Sequence, residues 1–593
     1  MKKIIIPILL ISGLWLISSC QSKDFLDETQ TTDLDEATVF SDSTYTTAFL
    51  TDIYTSIGFA SDFDRFNDGG FWATPSGGLQ TACDEAEPRQ LAKITTDVQF
   101  ATGTVNPVII DVSSWNKPYE NIRKVNLFLK HIPEAPLTEG RKTRYIAEAR
   151  FLRAWYYSVL LKHYGGIPLV GDTIFSPTDE IKPVRASFAD CVDYIVSECD
   201  KAAMDLANNP SGRDRGRAGA GACKALKARV LLFAASPLFN GSDFASEKPE
   251  IKNLLGYPEY DKERWKLARD AAKAVISMGG YSLYVDNGEE PGRGFYRIFI
   301  PSDWVADGAY RGTILEHKRS PGRWRENLFQ PPSRGGGGGG WPYQELADVF
   351  PMKNGKAITD PNSGYDPNNP YANRDPRFNN TFVADQTPLR NAATESVPVN
   401  IFLGNYNGQP QGQDAVHTGT PTGYYFRKQQ HRQCAANYFI DVNQARPLMR
   451  YAEVLLNYAE AQNEYEGPVS DIYDALKLIR ERAGIDPGPD GMFGITPGLS
   501  QKAMRELIQT ERRVELAMEG FRFWDVRRWM IADQTENKIM HGMEVRRNGS
   551  NVSYTKFEVR KRIFRKAMYF WPIPYKEVAK SPTLVQNPYY DNN

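Results

Sequence analysis

Three glutamates near the end of the chain have a spacing that could support acid–base catalysis. Glu511, Glu515 and Glu519 lie four residues apart, so on a helix they share one face, with about 6 Å between neighbours. A pair of carboxylates at such a separation is the catalytic unit of many glycosidases. Arg512 and Arg513 argue against that role, because nearby cations keep carboxylates ionised, whereas a general acid needs a raised pKa. We therefore predict a salt-bridged helix in a protein that is not an enzyme.

Other catalytic and metal-binding patterns are weak. No GxSxG motif is present, and Cys434 lies three residues from His431 without a third group to orient the two. There is no CxxC pair and no HExxH motif, so we predict no metal and no cofactor. A structural Ca²⁺ site built from loop Asp and Asn side chains stays open as an alternative. The six glycines 335–340 satisfy GxGxxG but do not lead into GK[ST], and we interpret them as a flexible loop before Trp341.

Aromatic side chains favour a binding function instead. Phe, Trp and Tyr make up 12% of the chain, which is more than a core of this size needs. Sugar recognition requires flat rings that stack on pyranose faces and polar side chains that bond hydroxyls. Two loop-rich clusters combine both types of side chain, one at residues 62–85 and one at residues 304–327. For each ring in them, a place in the core is the alternative to ligand contact. The candidate ligand-binding residues are Asp68, Trp72, Asp84, Trp304, Arg323, Trp324, Asn327 and Trp341.

Amphipathic helices must position these loops. Apolar residues recur at three- and four-residue steps in five segments, and Gly165 with Pro168 ends the first of them. Helix pairs rich in Ala, Tyr and Trp are typical of tetratricopeptide-like repeats. Trp115 and Trp524 fall in helix-like segments, which indicates that their rings belong to the core. The five predicted helices are residues 144–164, 220–235, 262–278, 448–464 and 471–483.

The middle of the chain has a different composition. From about residue 287 to residue 444 the helical periodicity fades, and Gly, Pro, Asn and Asp dominate. Such a segment is the natural location of binding residues. We therefore predict a mainly α fold, a scaffold of about four tetratricopeptide-like helix pairs with few short strands and a loop-rich, ligand-facing insert at 287–444.

The N-terminus has the pattern of a bacterial lipoprotein signal. Lys2 and Lys3 precede an apolar stretch at residues 4–17, which is too short to span a bilayer as a helix, and two serines precede Cys20. We predict a signal peptide at 1–19, acylation of Cys20, a polar tether as far as residue 36 and a helical domain at 37–593. Acyl chains on Cys20 would anchor the protein in outer-membrane lipid.

The overall charge bears on the partners. Lys and Arg number 71 and Asp and Glu number 72, which gives a net charge of −1. No basic run is long enough to follow a phosphate backbone, so we predict no nucleic-acid partner.

Five blocks of the sequence occur in the order that characterises a known family. They are 149–157 with 164–169, 227–237, 341–350 with 373–377, 449–461, and 511–529 with 572–574 and 586–588. Over essentially its whole length the chain therefore resembles the SusD/RagB family of outer-membrane nutrient-uptake lipoproteins. One departure is Tyr589, where the family usually has Gly, which we interpret as a local change of turn.

The resemblance implies a location and a partner. It implies a lipid-anchored protein of the cell outer membrane that faces the outside and lies as a lid on a SusC-like TonB-dependent transporter. It carries over no ligand-binding residue by position, so the ligand must be inferred from chemistry. Our leading hypothesis is a protein that binds an oligosaccharide or polysaccharide and delivers it to the transporter. The second hypothesis is a RagB-like peptide-binding protein, and the third is a lipid-anchored hydrolase.

Overall fold

The structure is a computed structural model that describes residues 35–61, 65–66, 77–90, 93–176, 178–300, 308–391, 395–432 and 442–590. The signal peptide and the anchor Cys20 lie outside the described residues. So do the candidate ligand residues Asp68, Trp72 and Trp304, as well as Cys434.

The described residues are mostly helical, which confirms the predicted fold class. The α-helices, in chain order, are α1 (Glu36–Ser41), α2 (Ser43–Thr55), α3 (Thr96–Thr102), α4 (Ser113–His131), α5 (Glu139–Tyr164), α6 (Phe188–Met204), α7 (Ala220–Ala235), α8 (Lys252–Leu255), α9 (Glu263–Ser277), α10 (Arg293–Arg297), α11 (Trp324–Phe329), α12 (Gln344–Val349), α13 (Pro376–Thr381), α14 (Tyr451–Glu466), α15 (Ser470–Ala483), α16 (Gln501–Glu515), α17 (Arg522–Arg528), α18 (Ala532–Thr535) and α19 (Tyr575–Lys580).

The strands form small sheets next to this helical scaffold. They are β1 (Ala86–Glu87), β2 (Thr313–Gly322), β3 (Trp341–Pro342), β4 (Phe382–Val383), β5 (Pro388–Arg390), β6 (Ser396–Pro398), β7 (Leu403–Tyr406), β8 (Gln409–Pro410), β9 (Tyr425–Phe426), β10 (Val442–Arg450), β11 (Ile539–Asn548) and β12 (Asn551–Lys561). β2 pairs antiparallel with β10, and β1 pairs antiparallel with β3. β11 and β12 form a hairpin within a four-stranded sheet of order β12-β11-β7-β8, so β12 is an edge strand.

Eight helices of the described chain form a continuous stack. Contacts run from α4 to α5, α6, α7, α9 and α14 in turn, and α14 also contacts α15 and α16. Eight is the number that four tetratricopeptide-like pairs require. The small residues Ala268 and Ala272 of α9 are buried together with Trp265, as the apolar stripe predicts. The segment between α9 and α14 leaves the stack and returns to it, and it carries strands β2 to β10.

Glycine ends the longest helix of the stack. α5 stops at Tyr164, and Gly165 follows with a positive φ of +77° and donates its N–H to the carbonyl oxygen of Leu161 at 2.9 Å. A Cβ at Gly165 would lie 2.4 Å from the carbonyl oxygen of Leu254, so no larger residue fits here. At the other end of the chain Tyr589 also has a positive φ, +68°, a conformation that glycine adopts with less strain.

Candidate functional site

The three spaced glutamates lie in a buried network of charges, here called the ionic cluster. Arg377 Nη1 lies 2.7 Å from Glu511 Oε1 and 3.1 Å from Glu515 Oε2. Arg450 Nη1 lies 2.9 Å from Glu515 Oε1, and its Nη2 lies 2.7 Å from Glu519 Oε1. The remaining members of the ionic cluster are Asp375, Lys428, Arg480 and Arg482.

The electrostatics of the ionic cluster oppose acid catalysis. Burial acts to raise the pKa of Glu515, but the guanidinium groups of Arg482 and Arg450 outweigh it and hold that pKa well below its usual range. The pKa of Glu511 is also lowered, because Arg377 outweighs the effect of burial there. A general acid needs the opposite shift. The predicted salt-bridged helix is confirmed.

The cations next to these glutamates in sequence have other partners. Arg512 Nε lies 2.7 Å from Asp525 Oδ2. Asp84 accepts hydrogen bonds from Arg522 at 2.9 Å and from Arg513 at 3.0 Å, and its side chain is fully buried. These pairs place Asp84, a candidate ligand residue, in the core and not at a surface that a ligand could reach.

An open groove of about 630 Å³ lies beside the edge strand β12. Its lining includes Trp341, Phe557 and His417, and the ring centroids of the last two are 4.6 Å apart. Trp341 and Phe557 pack against an apolar cluster that contains Val399 and Ile401. Both rings are only partly buried, so each keeps a portion of its surface for the groove.

Backbone pairing fixes the position of Trp341. Trp341 lies opposite Glu87 in the β1–β3 pair. The next residue but one, Tyr343, donates its N–H to the carbonyl oxygen of Glu85 at 3.0 Å and its hydroxyl to Glu87 Oε2 at 2.5 Å. The ring is therefore held on a rigid support, which limits the entropy lost when a ligand stacks on it.

The glycine run before Trp341 packs closely against its neighbours. A Cβ at Gly336 would lie 1.6 Å from the carbonyl oxygen of Gln330. Gly338 has φ +69°, and a Cβ there would lie 2.7 Å from Cζ2 of Trp341. These contacts correct the interpretation of the run as a flexible loop, because glycine is required here for close approach to the indole and to the backbone.

Two salt bridges involve side chains of the groove. Arg560 Nε and Nη2 donate to the carboxylate of Glu87 at 2.5 to 2.9 Å. His417 Nε2 lies 3.1 Å from Glu544 Oε2. Rings that stack and polar groups that bond hydroxyls therefore line one surface, which is the combination that sugar recognition requires. Further polar lining comes from Arg89, Gln90, Thr418 and Glu558.

The candidates at helix α11 lie outside the lining of the groove. Arg323 is buried, and Trp324 is half-buried with the guanidinium carbon of Arg319 4.1 Å from its ring centroid. Asn327 is exposed, and its carbonyl oxygen accepts a 2.6 Å hydrogen bond from the glycine run. Of the candidate residues that it describes, the structure places Trp341 alone in the groove.

The sequence interpretation did not identify the other groove residues. For Phe557 and Arg560 a signal existed, because the Asn548-Gly549 pair followed by alternating apolar and polar residues predicts a β-hairpin. His417 and Arg89 come from irregular segments without a comparable pattern.

Two other cavities offer less to a sugar. A groove of about 540 Å³ beside α4 is lined by Trp115 and Tyr119, but Trp115 is only 6% exposed and packs edge to face on Tyr164. A smaller cavity of about 80 Å³ lies inside the helical stack next to Trp524, which is 7% exposed. The predicted core positions of both tryptophans are confirmed, and neither tryptophan offers an open ring face to a sugar.

The described ranges contain neither a candidate metal site nor a candidate membrane span. Within them no group of three or more His, Cys, Asp and Glu residues could hold a metal ion. None of the helices described has both the length and the apolar character needed to cross a membrane.

Two family models match the sequence. The first, described as the SusD family, matches residues 302–590. The second, described as "starch-binding associating with outer membrane", matches residues 24–232. Between them they include the ionic cluster, the groove and the helical stack apart from α9 and the last turn of α7.

Individual proteins are similar as well. SusD-like protein P2 of Formosa agariphila is 32% identical over 139 residues, which is 23% of this chain and 24% of that protein. SusD-like protein P25 of the same organism is 22% identical over 505 residues, 82% of this chain and 81% of that protein.

Solved structures share the fold. A SusD-like protein from Bacteroides fragilis matches with a TM-score of 0.70 at 26% identity and covers 94% of this chain and 100% of its own. A SusD-like carbohydrate binding protein from the same species matches with a TM-score of 0.68 at 23% identity and covers 92% of this chain and 100% of its own.

Proposed function

The chain belongs to the SusD/RagB family, and on that premise we propose that it is an outer-membrane lipoprotein that binds a glycan and delivers it to a SusC-like TonB-dependent transporter. Anchoring through an acylated Cys20 and exposure to the outside belong to the same proposal. The description of the second family model, with starch binding and the outer membrane, supports it.

The observation that carries the proposal is the groove at Trp341. It presents the rings of Trp341 and Phe557 next to arginine, glutamine and threonine side chains. A pyranose has an apolar face for stacking and hydroxyls for hydrogen bonds, so it matches both components. Because a capture protein must release its ligand, we expect a moderate Kd of about 1 μM to 1 mM.

Retention in native gels tests glycan binding directly. The soluble mature chain from Ser22 onward is run through gels that contain starch, laminarin, pectin, alginate or dextran. We expect at least one polysaccharide to slow the protein relative to a control protein that binds no polysaccharide, run in the same gel. Unchanged migration in all of them would count against the glycan proposal.

A second experiment tests the anchor. Replacing Cys20 with Ala removes the thiol and the mature amino terminus that would be acylated. We expect a folded protein that no longer fractionates with washed outer membranes in cells that lack the partner transporter. Membrane retention of the Cys20→Ala variant in those cells would contradict lipid anchoring.

A peptide ligand is the second candidate, and the edge strand favours it. Among the described residues β12 pairs with β11 and with no second strand, and it runs along the groove. An extended peptide could add to such an edge through backbone hydrogen bonds. Binding of a tryptic casein digest in titration calorimetry, without retention by any polysaccharide, would favour this alternative.

We propose no catalytic role for the protein. The paired, ionised carboxylates of the ionic cluster support this view, because they offer no group with a raised pKa for proton donation. The purified protein is incubated for a day with a bound oligosaccharide, which is then followed by mass spectrometry. Cleavage that survives repurification and is lost in a Glu511→Gln variant would contradict this assignment.

A further inference from the structure

The cations that line the groove differ in whether they have a carboxylate partner. The guanidinium of Arg560 forms a salt bridge with Glu87 through Nε and Nη2, and His417 is paired with Glu544. Arg89 is the one cation in the described lining without a carboxylate partner. Its charge is therefore the one that a ligand can neutralise.

Arg89 also has hydrogen-bonding capacity to spare. Its Nη1 donates one long hydrogen bond, 3.3 Å, to the carbonyl oxygen of Gly338. A guanidinium carries five N–H donors in a planar fork that matches carboxylate and sulfate oxygens. The side chain is half-buried, and its reduced contact with water strengthens its interactions.

The glycine run brings Arg89 and Trp341 to the same place. A Cβ at Gly337 would lie 3.5 Å from Arg89 Nη1, and a Cβ at Gly338 would lie 2.7 Å from the indole of Trp341. Both groups therefore lie against the same stretch of glycine backbone. A sugar ring stacked on Trp341 would have its substituents within the range of Arg89.

We propose that the groove selects acidic glycans, in which a carboxylate of a uronic acid pairs with Arg89 while the sugar ring stacks on Trp341. This inference rests on the proposed function and adds the class of substrate. The opposing charge in the lining is Glu558, an exposed carboxylate on β12. The charge of Glu558 repels a second anion nearby, so the groove should favour ligands whose anionic groups are spaced and not continuous.

The test compares two probes that differ by a charged carboxylate against an uncharged methyl ester. Oligogalacturonate and its methyl ester share the same rings and ring hydroxyls, but the ester has no carboxylate. Dextran and dextran sulfate form a second pair, which separates carboxylate recognition from recognition of sulfate. Each probe is titrated into the parent mature chain and into Arg89→Gln, Arg89→Lys and Glu558→Gln by calorimetry at low and high salt.

We expect the parent to bind oligogalacturonate more tightly than its ester, and Arg89→Gln to lose about ten- to a hundredfold of that affinity. Arg89→Lys should retain part of the preference, because it keeps the charge without the fork. Glu558→Gln should bind the acid as well as the parent or better. The preference should shrink with added salt.

Equal affinity for acid and ester, or an acid preference that persists in Arg89→Gln, would overturn the inference. If neutral glycans bind with an affinity that falls when Trp341 is replaced but not when Arg89 is replaced, the proposed glycan function stands and acidic selectivity fails. A preference for dextran sulfate over oligogalacturonate that depends on Arg89 would overturn the assignment to carboxylates. Binding of none of these probes or of the neutral polysaccharides would count against both.

Discussion

The ionic cluster and the groove are both rich in charged residues, yet they differ in what those charges face. In the ionic cluster five cations and four anions are all buried, and each carboxylate contacts at least one cation. In the groove two ion pairs support half-buried rings, and Arg89 keeps unused donors. Charge density therefore does not separate the two regions, whereas exposure combined with unused hydrogen-bonding capacity does, and it is the second property on which the proposed glycan site rests.

Glu85 lies between the two regions and connects them. Its carbonyl oxygen accepts from Tyr343, which follows Trp341 on the groove side. Its Oε1 accepts from the backbone N–H of Met518 at 3.1 Å, next to Glu519 of the ionic cluster. Burial, with a further contribution from the charge of Asp84, raises the pKa of Glu85 to about 8.

The largest effect should come from breaking the ionic cluster. Glu515→Ala leaves Arg450 and Arg482 buried without their shared anion, which should cost about 3 to 5 kcal/mol in the free energy of unfolding. The measurement is urea denaturation followed by circular dichroism. The matched control is Asp52→Asn, whose exposed partner Lys124 lies 2.6 Å away and should contribute less than about 1 kcal/mol. A Glu515→Ala variant as stable as the parent would remove the basis of the comparison.

The next effect is a pH dependence of stability that originates at Glu85. The folded state retains a proton at Glu85 up to a pKa of about 8, whereas the unfolded chain loses it near the ordinary value of 4.5. The contribution of Glu85 to stability is therefore complete below pH 4.5 and declines as the pH rises to about 8, by at most about 1.4 kcal/mol per pH unit. Glu85→Gln has no such proton to lose, so its urea midpoint should fall less between pH 5 and 9 than that of the parent. Parallel pH profiles of the two proteins would contradict the raised pKa.

A smaller effect separates Trp324 from Trp341, the two tryptophans of the insert that the structure describes. The ring of Trp324 is covered by Arg319 and packs against the apolar cluster around Phe329. Trp324→Ala should therefore lower stability by about 1 to 3 kcal/mol and change glycan affinity by less than about twofold. Thermal melting and calorimetry measure the two quantities. A loss of affinity without a loss of stability would restore Trp324 as a ligand residue.

The helical part of the fold could be predicted because its determinants are local. Helix α7 occupies 220–235 as predicted, and α5 ends at the glycine pair that the sequence indicates. Helix α14 begins at Tyr451 and not at Leu448, because residues up to Arg450 continue the strand β10. Periodicity alone does not separate a short apolar strand end from the first turn of a helix.

The candidate site could be predicted only in part because its determinants are not local. Ionisation of Glu511 followed from neighbouring arginines, but the actual partner, Arg377, is far away in sequence. Trp341 stood out as a ring after a glycine run, whereas Arg89 and His417 reach the groove through tertiary packing. Neither of them lies in a pattern that specifies which residues it faces.

The most direct test of the groove is the affinity of the protein for its retained polysaccharide with and without the Trp341 ring. In calorimetry Trp341→Ala should weaken binding by about 1 to 3 kcal/mol, which is the usual cost of removing an aromatic hot spot. Trp324→Ala serves as the matched control, because it removes the same ring type outside the groove. A Trp341→Ala variant that stays folded and binds at least about fivefold more weakly is the predicted result. Unchanged affinity in a folded Trp341→Ala variant would contradict the assignment of this groove as the glycan site.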